Sequence, residues 1–305
     1  MVTENRERYL TMSVKEKKKE ISNLKIHHPR FKKALELIKL CHKSKEISSD
    51  PQCMLITGPS GSGKSTILES YFSRYQSTTY VNTRTKKVIL AGEIPSPTTI
   101  NTFLETMLDR LGDPFPTRGT IGNKNHRLVK LIEDCSVEII LLDEFQHFVH
   151  SENQRVNRAV ADCFKSLVNQ TKVPVVLFGL EDAKTVLDCN SQLKRRFSIS
   201  FSLPPFGDED ERREKEFRTL LNQIDNKLPF PIMGGFSKPE IAKLIMAATE
   251  GNMNSIIKLV KGAALFALEE QKNHIEIADL YKAYQIHSYI LKGTNPFINN
   301  KNKGA

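Results

Sequence analysis

Two rhythms of apolar and polar positions divide the chain. In the first part, residues 53–57, 137–142 and 173–178 are apolar runs without alternation, which suits parallel strands buried on both faces. Residues 79–83 and 87–91 are further strand candidates, and residues 198–203 a last one before the breaker Pro204 and Pro205. Between these runs the spacing is helical: Phe31, Ala34, Leu35, Ile38 and Cys41, then the stretch from Thr98 or Thr99 to Leu111, then residues 155–169. After Leu203 only the helical rhythm continues. Residues 208–225 place Phe217, Leu220, Leu221 and Ile224 on one face, and apolar helices follow over 238–249, 255–268 and 275–284. The pattern predicts an α/β layer with a parallel sheet, followed by a small all-helical domain. Residues 1–22 are polar and predict a loosely ordered arm or an exposed helix, and the Asn/Lys/Gly-rich stretch from Lys292 predicts a frayed tail. The expected boundaries are an arm over 1–24, a core over 25–206, a helical lid over 207–291 and a tail over 292–305.

Composition narrows the class without naming it. The chain has 305 residues, 39% hydrophobic and 26% charged, and its apolar runs are strand-sized, far below a membrane span. The first residues lack the apolar stretch of a signal peptide. Cys41, Cys53, Cys135, Cys163 and Cys189 are scattered with no C-x-x-C pair, which argues against zinc or a disulfide framework and for a reducing, cytoplasmic setting. Net charge is +10, and residues 1–50 hold 13 Lys/Arg against 7 Asp/Glu, whereas residues 207–305 hold 14 against 13. That distribution suggests a polyanion partner bound away from the C-terminal part, or else a solvated basic helix at the front.

Chemistry enters at Gly58-Pro-Ser-Gly-Ser-Gly-Lys-Ser65, which follows an apolar run and opens a helix-like segment. Strand, glycine-rich turn and helix form the context of a P-loop. Gly58, Pro59, Ser60, Gly61, Ser62, Gly63 and Thr66 would surround the phosphates of ATP, with backbone N–H groups and a helix N-terminus supplying positive field. Lys64 would reach the β- and γ-phosphates, and the Ser65 hydroxyl would sit on Mg²⁺. The run 137–142 ends in Asp143 and Glu144, where α/β sheets place their ligands. In this Walker B pattern Asp143 would hold Mg²⁺ through water and Glu144 would act as general base. Leu180 follows the Gly-ended strand, so a polar γ-phosphate sensor would have to be Glu181 or no residue. The Gly/Pro-rich stretch 112–126 reads as a loop, and Arg118, Lys124, Arg127 and Lys130 make the region basic, with Thr117 to Thr120 suited to a phosphate backbone. His27, His28 and Pro29 precede the first strand, where many nucleotide-binding ATPases line the adenine pocket; a solvent-exposed turn is the other reading.

The order of P-loop, Walker B Asp143-Glu144, Gly179-ended strand, Arg195-Arg196-Phe197 and helical lid resembles the AAA+ ATPases. The stretches Asp143 to Phe148, Val173 to Gly179, Gln192 to Phe197, Leu203 to Phe206 and Leu228 to Phe230 resemble the TniB/TnsC transposition regulators, related in role to MuB. The resemblance implies an ATPase that assembles as an oligomer or filament on double-stranded DNA. It also implies partners, a transposase and a target selector of the TniQ type, and no membrane. By position it makes Arg196, or its neighbour Arg195, a finger reaching a neighbouring subunit's γ-phosphate; a structural salt bridge is the other reading. It places DNA contacts on Thr98, Thr99, Arg118 and Thr120, with Lys124 beside them. The lid sequence Gly251 to Ser255 lacks the arginine of many AAA+ proteins, which implies slow hydrolysis and ATP acting as an assembly switch. A helicase loader and a small-molecule kinase are the competing classes; the adjacent Asp143 and Glu144 and the Arg195-Arg196 pair favour water as the acceptor.

Overall fold

The structure is a computed structural model, describing residues 6–47, 50–75, 79–81, 84–96, 98–149, 154–287 and 294–298. Two compact units are present, Pro29–Leu203 and a second made of Met1–His28 with Pro204–Ala305. The boundaries thus fall at residues 28/29 and 203/204, and the front of the chain folds with its back rather than standing as a separate arm.

The α/β unit is built on a five-stranded sheet in the order β4-β5-β6-β1-β7, with every recorded pairing parallel. The strands are β1 (Met54–Thr57), β4 (Ile89–Glu93), β5 (Ile139–Asp143), β6 (Val175–Gly179) and β7 (Ile199–Ser202). Because side chains alternate across a strand, Leu55, Ile140, Leu142, Val175 and Leu177 enter one core, while Met54, Ile56, Ile139, Leu141, Val176 and Phe178 enter the other. The first core is covered by α5 (Ile100–Leu111), α6 (Ile121–Asp134) and α7 (Gln154–Thr171), with α8 (Lys184–Asp188) and α9 (Ser191–Arg196). The second is covered by α3 (Pro29–Ile47) and α4 (Lys64–Phe72). Two-sided burial explains why these strands read as unbroken apolar runs.

Two details differ from the sequence pattern. Residues 79–81 (β2) pair antiparallel with Arg84–Lys86 (β3) in a hairpin apart from the five-stranded sheet, with the expected strand residues 82 and 83 outside the described residues. The expected loop 112–126 contains the start of α6: Gly119, at φ +95°, turns the chain, and Thr120 caps the helix by accepting from the Asn123 N–H.

The helical unit packs α2 (Val14–Ser22) with α10 (Glu211–Lys227), α11 (Pro239–Thr249), α12 (Met253–Glu269) and α13 (Ile277–Ile286). Ser13 and Glu16 form a capping box at the start of α2, and Ile21, Leu24 and Ile26 are buried in this core. The buried Arg6 guanidinium donates to the carbonyls of Asp225, Leu228 and Phe230. The positive front is therefore divided: residues 1–28, with 7 Lys/Arg against 4 Asp/Glu, belong to the helical unit, and residues 29–50, with 6 against 3, to the α/β unit. Gly251 makes a close approach in which an added Cβ would lie 1.9 Å from the Phe206 carbonyl oxygen. The expected frayed tail is partly ordered, since Phe297 is buried among these helices and Asn295 donates to the Tyr281 carbonyl. Among the described residues no helix is long and apolar enough to cross a membrane.

Candidate functional site

β1 runs out at Thr57 into the glycine-rich turn, and α4 begins at Lys64. Gly61 and Gly63 hold φ of +78° and +97°, the left-handed region that favours glycine. At Gly58 a Cβ would lie 2.6 Å from the Leu203 carbonyl oxygen and 2.8 Å from Ser62 Oγ, so the turn folds tightly on itself. The Ser62 hydroxyl is buried without a hydrogen-bond partner among the described residues. An orphaned buried donor inside a glycine-rich turn at a helix N-terminus fits a bound phosphate. Residues 58–63 thus form a tight glycine-rich turn that leads into the N-terminus of α4.

Lys64 is buried, and its ammonium donates to the carbonyls of Gly58 at 2.7 Å and Pro59 at 3.0 Å. Burial pushes its pKa down, opposed by the negative charges of Asp143 and Glu144. Asp143, at the end of β5, is also buried; burial pushes its carboxyl up, opposed by hydrogen bonds from the Ser65 hydroxyl and the Glu144 N–H. Ser65, in the first turn of α4, and Asp143, at the end of β5, are thus joined by a hydrogen bond. Among the described residues no group of three or more His, Cys, Asp or Glu could hold a metal alone. Magnesium commonly takes one or two protein oxygens and fills its octahedron with substrate phosphates and water. The hydroxyl–carboxylate pair fits that chemistry.

Glu144 adopts φ +59° and ψ +37°, a left-handed conformation rare for a residue with a side chain. It opens a 3₁₀ turn, Phe145–Phe148, whose two phenylalanines pack on Phe103 and Phe164 with centroids 5.3 to 5.8 Å apart. Gln146, which the sequence reading did not single out, donates from Nε2 to the Glu144 carboxylate and accepts at Oε1 from the Leu180 N–H.

Glu181, the polar residue after Leu180, is held by three side chains. Its Oε1 accepts from Thr57 Oγ1 at 2.7 Å and Ser202 Oγ at 3.0 Å, and its Oε2 from Lys184. Lys184 first, then Thr57, holds this carboxyl below its ordinary range. The side chain braces the ends of β1 and β7 beside the glycine-rich turn. Arg196 closes α9 with its guanidinium paired to Asp50, and only 14% of its side chain is exposed; Arg195 is exposed. The salt-bridge reading of Arg196 therefore describes this conformation. His28 packs edge-on against Phe206 inside the helical unit, with centroids 5.3 Å apart.

The candidate DNA residues separate into two groups. Thr99 caps α5 by accepting from the Thr102 N–H, Thr120 caps α6, and both are exposed. Thr98 is buried beside Thr102. Arg118 is exposed and lies over the Phe115 ring, 4.3 Å from its centroid. Lys124 is not available to a phosphate: it is buried and bonded to Glu105 Oε1 at 2.5 Å and Asn101 Oδ1 at 2.8 Å. Those bonds tie the first turn of α6 to the start of α5, whose caps Thr99 and Thr120 are exposed, as is Arg118. Arg127 shapes the connecting loop by donating to Asp113 and to the carbonyls of Phe115 and Arg118. Counting charges could not separate Arg118 from Lys124 and Arg127, because their partners lie up to 23 residues away.

A family model described as bacterial TniB protein matches residues 19–208. No curated protein matches. Among solved structures, the chain is similar to Cdc6p from Pyrobaculum aerophilum, with TM-score 0.61, 15% identity, and 87% of this chain and 68% of that one covered. It is also similar to the Aeropyrum pernix ORC2 protein in its ADPNP–ADP complexes, with TM-score 0.60, 15% identity, and 87% and 68% covered. The Aeropyrum pernix ORC1 protein in complex with DNA gives TM-score 0.58, 16% identity, and 87% and 66% covered. The chain thus spans about two thirds of the length of these proteins, and the likeness is one of fold.

Proposed function

Since the chain belongs to the bacterial TniB family and has the AAA+ fold, we propose that it is a Mg²⁺-dependent ATPase that assembles on double-stranded DNA and regulates transposition. The observation that carries this reading is the meeting of Lys64, Ser65, Asp143 and Glu144 around the glycine-rich turn. Lys64 leaves the Gly58 and Pro59 carbonyls to neutralise phosphate charge, a small displacement for an ammonium that already lies at the turn. Ser65 and Asp143 would hold Mg²⁺, which when bound supplies charge neutralisation at the phosphate oxygens. Glu144 orients water and takes its proton.

The surface formed by the N-termini of α5 and α6 with Arg118 binds the DNA backbone, Thr99 and Thr120 contributing hydroxyls. The end of α9 reaches a neighbouring subunit's nucleotide, through Arg196 once Asp50 releases it or through the exposed Arg195. Hydrolysis is slow and serves disassembly, because Leu180 offers no polar sensor and Glu181 is held by Thr57, Ser202 and Lys184. The assembled form connects a TniQ-type target selector to a transposase.

The test is duplex-DNA binding by fluorescence anisotropy, with and without a non-hydrolysable ATP analogue, alongside phosphate release without an added acceptor. Wild type should bind more tightly with the analogue, Lys64→Ala should lose that dependence, and Glu144→Gln should stay on DNA in ATP. DNA binding indifferent to nucleotide and to Lys64 overturns the proposal.

A further inference from the structure

Gln146 sits two residues past Glu144 and joins it to the exit of β6. Its carboxamide oxygen accepts from the Leu180 N–H at 3.1 Å, and its carboxamide nitrogen donates to Oε2 of Glu144. A carboxamide has one accepting and one donating end. With the oxygen committed to a main-chain N–H, the donating end must face the carboxylate, so the partners themselves determine which way the amide points. Gly179 makes room for this arrangement: a Cβ there would lie 3.1 Å from Gln146 Oε1 and 3.4 Å from the Gln146 backbone nitrogen. Glu144 meanwhile keeps a left-handed backbone, which a residue with a side chain retains only where its surroundings over-determine it. Its N–H donates to Asp143, its carbonyl accepts from His147, and the Gln146 bond fixes the carboxylate itself.

The residue that leaves β6, Leu180, has an apolar side chain, yet its main-chain N–H reaches Glu144 through Gln146. We infer that Gln146 is a positioning residue that aims the Glu144 carboxylate from the end of β6. The inference rests on the reading of Glu144 as the group that activates water. It assigns Gln146 no contact with substrate; Gln146 acts through Glu144.

Two substitutions separate the two hydrogen bonds. Gln146→Leu removes both, while Gln146→Glu keeps an acceptor for the Leu180 N–H and places a second carboxylate against Glu144. On the full-length chain with duplex DNA, kcat for phosphate release should fall roughly tenfold or more in both variants. Affinity for an ATP analogue should stay within about twofold of wild type, because the loss is confined to the chemical step. In the nucleotide-free protein, hydrogen exchange at the Leu180 amide should quicken in Gln146→Leu and stay slow in Gln146→Glu, with the rest of the exchange pattern reporting an intact fold. An active wild type accompanied by two variants of equal or greater kcat overturns the inference. So does a loss that appears in nucleotide affinity rather than in kcat. A wild type that releases no phosphate overturns the reading of Glu144 and the inference with it, an outcome distinct from the other two.

Discussion

Lys124 gives the sharpest contrast between what charge counting expects and what the fold shows. Its side chain is 4% exposed and joins Glu105 and Asn101, so the ammonium ties α6 to α5. Lys124→Ala leaves the Glu105 carboxylate without its cation. Removing one partner of a fully buried pair costs about 3–5 kcal/mol. Glu105 keeps 24% exposure, so water recovers part of that loss and about 2 kcal/mol is expected. At about 2–4 °C per kcal/mol for a domain of this size, the midpoint of thermal unfolding should fall by roughly 4–8 °C. Circular dichroism melts of wild type, Lys124→Ala and Glu105→Gln measure it. The double variant should lose less than the sum of the single losses, since both remove the same pair. DNA affinity measured below the melting range should keep its salt dependence, because this lysine releases no counterions. An unchanged midpoint together with a salt slope reduced by about 1 would refute the reasoning and return Lys124 to the DNA surface.

Arg118→Ala should weaken binding to unrelated duplexes about equally and lower the salt slope by about 1, with no change in melting; sequence-dependent losses would contradict a phosphate contact. Asp143→Asn should raise the melting temperature of the nucleotide-free protein at neutral pH, because burial raises the folded-state pKa of Asp143 above its unfolded value. The charge penalty is absent below the unfolded pKa and complete above the folded one, so the gain should shrink as pH falls through the acidic range; a gain that grows on acidification would reverse the assigned sign. Asp50→Ala should change stability by no more than about 1 kcal/mol, since Asp50 is half exposed, while releasing Arg196 and tightening analogue-dependent assembly on DNA. Weaker assembly in Asp50→Ala, with Arg196→Ala unaffected, would remove Arg196 from the intersubunit role.

The sheet and the glycine-rich turn were legible because their signals are local. Burial of β5 and β6 on both faces writes itself as unbroken apolar runs, and Gly61 and Gly63 are dictated by backbone angles within one turn. What stayed hidden depends on which strands become neighbours. Glu181 bonds to Thr57 and Ser202 only because β1 lies between β6 and β7, and Gln146 meets Leu180 only because β5 and β6 are adjacent. Asp50 and Arg196 pair across 146 residues, a separation no spacing rule reads. The fate of the N-terminal segment had a signal: the capping pair Ser13 and Glu16 ahead of Ile21, Leu24 and Ile26 marks a helix and linker with an apolar side to bury. Its dense lysines masked that pattern. Lys124 carried no such sign, since Asn101 and Glu105 become its partners only when α5 and α6 pack together.

The central claim is that the glycine-rich turn controls assembly on DNA, and sedimentation of the full chain on a defined duplex tests it most directly. With a non-hydrolysable ATP analogue, wild type should form multi-subunit complexes that ADP does not support, and Lys64→Ala should fail to form them. Identical complexes in analogue, in ADP and without nucleotide, formed equally by Lys64→Ala, would contradict the account.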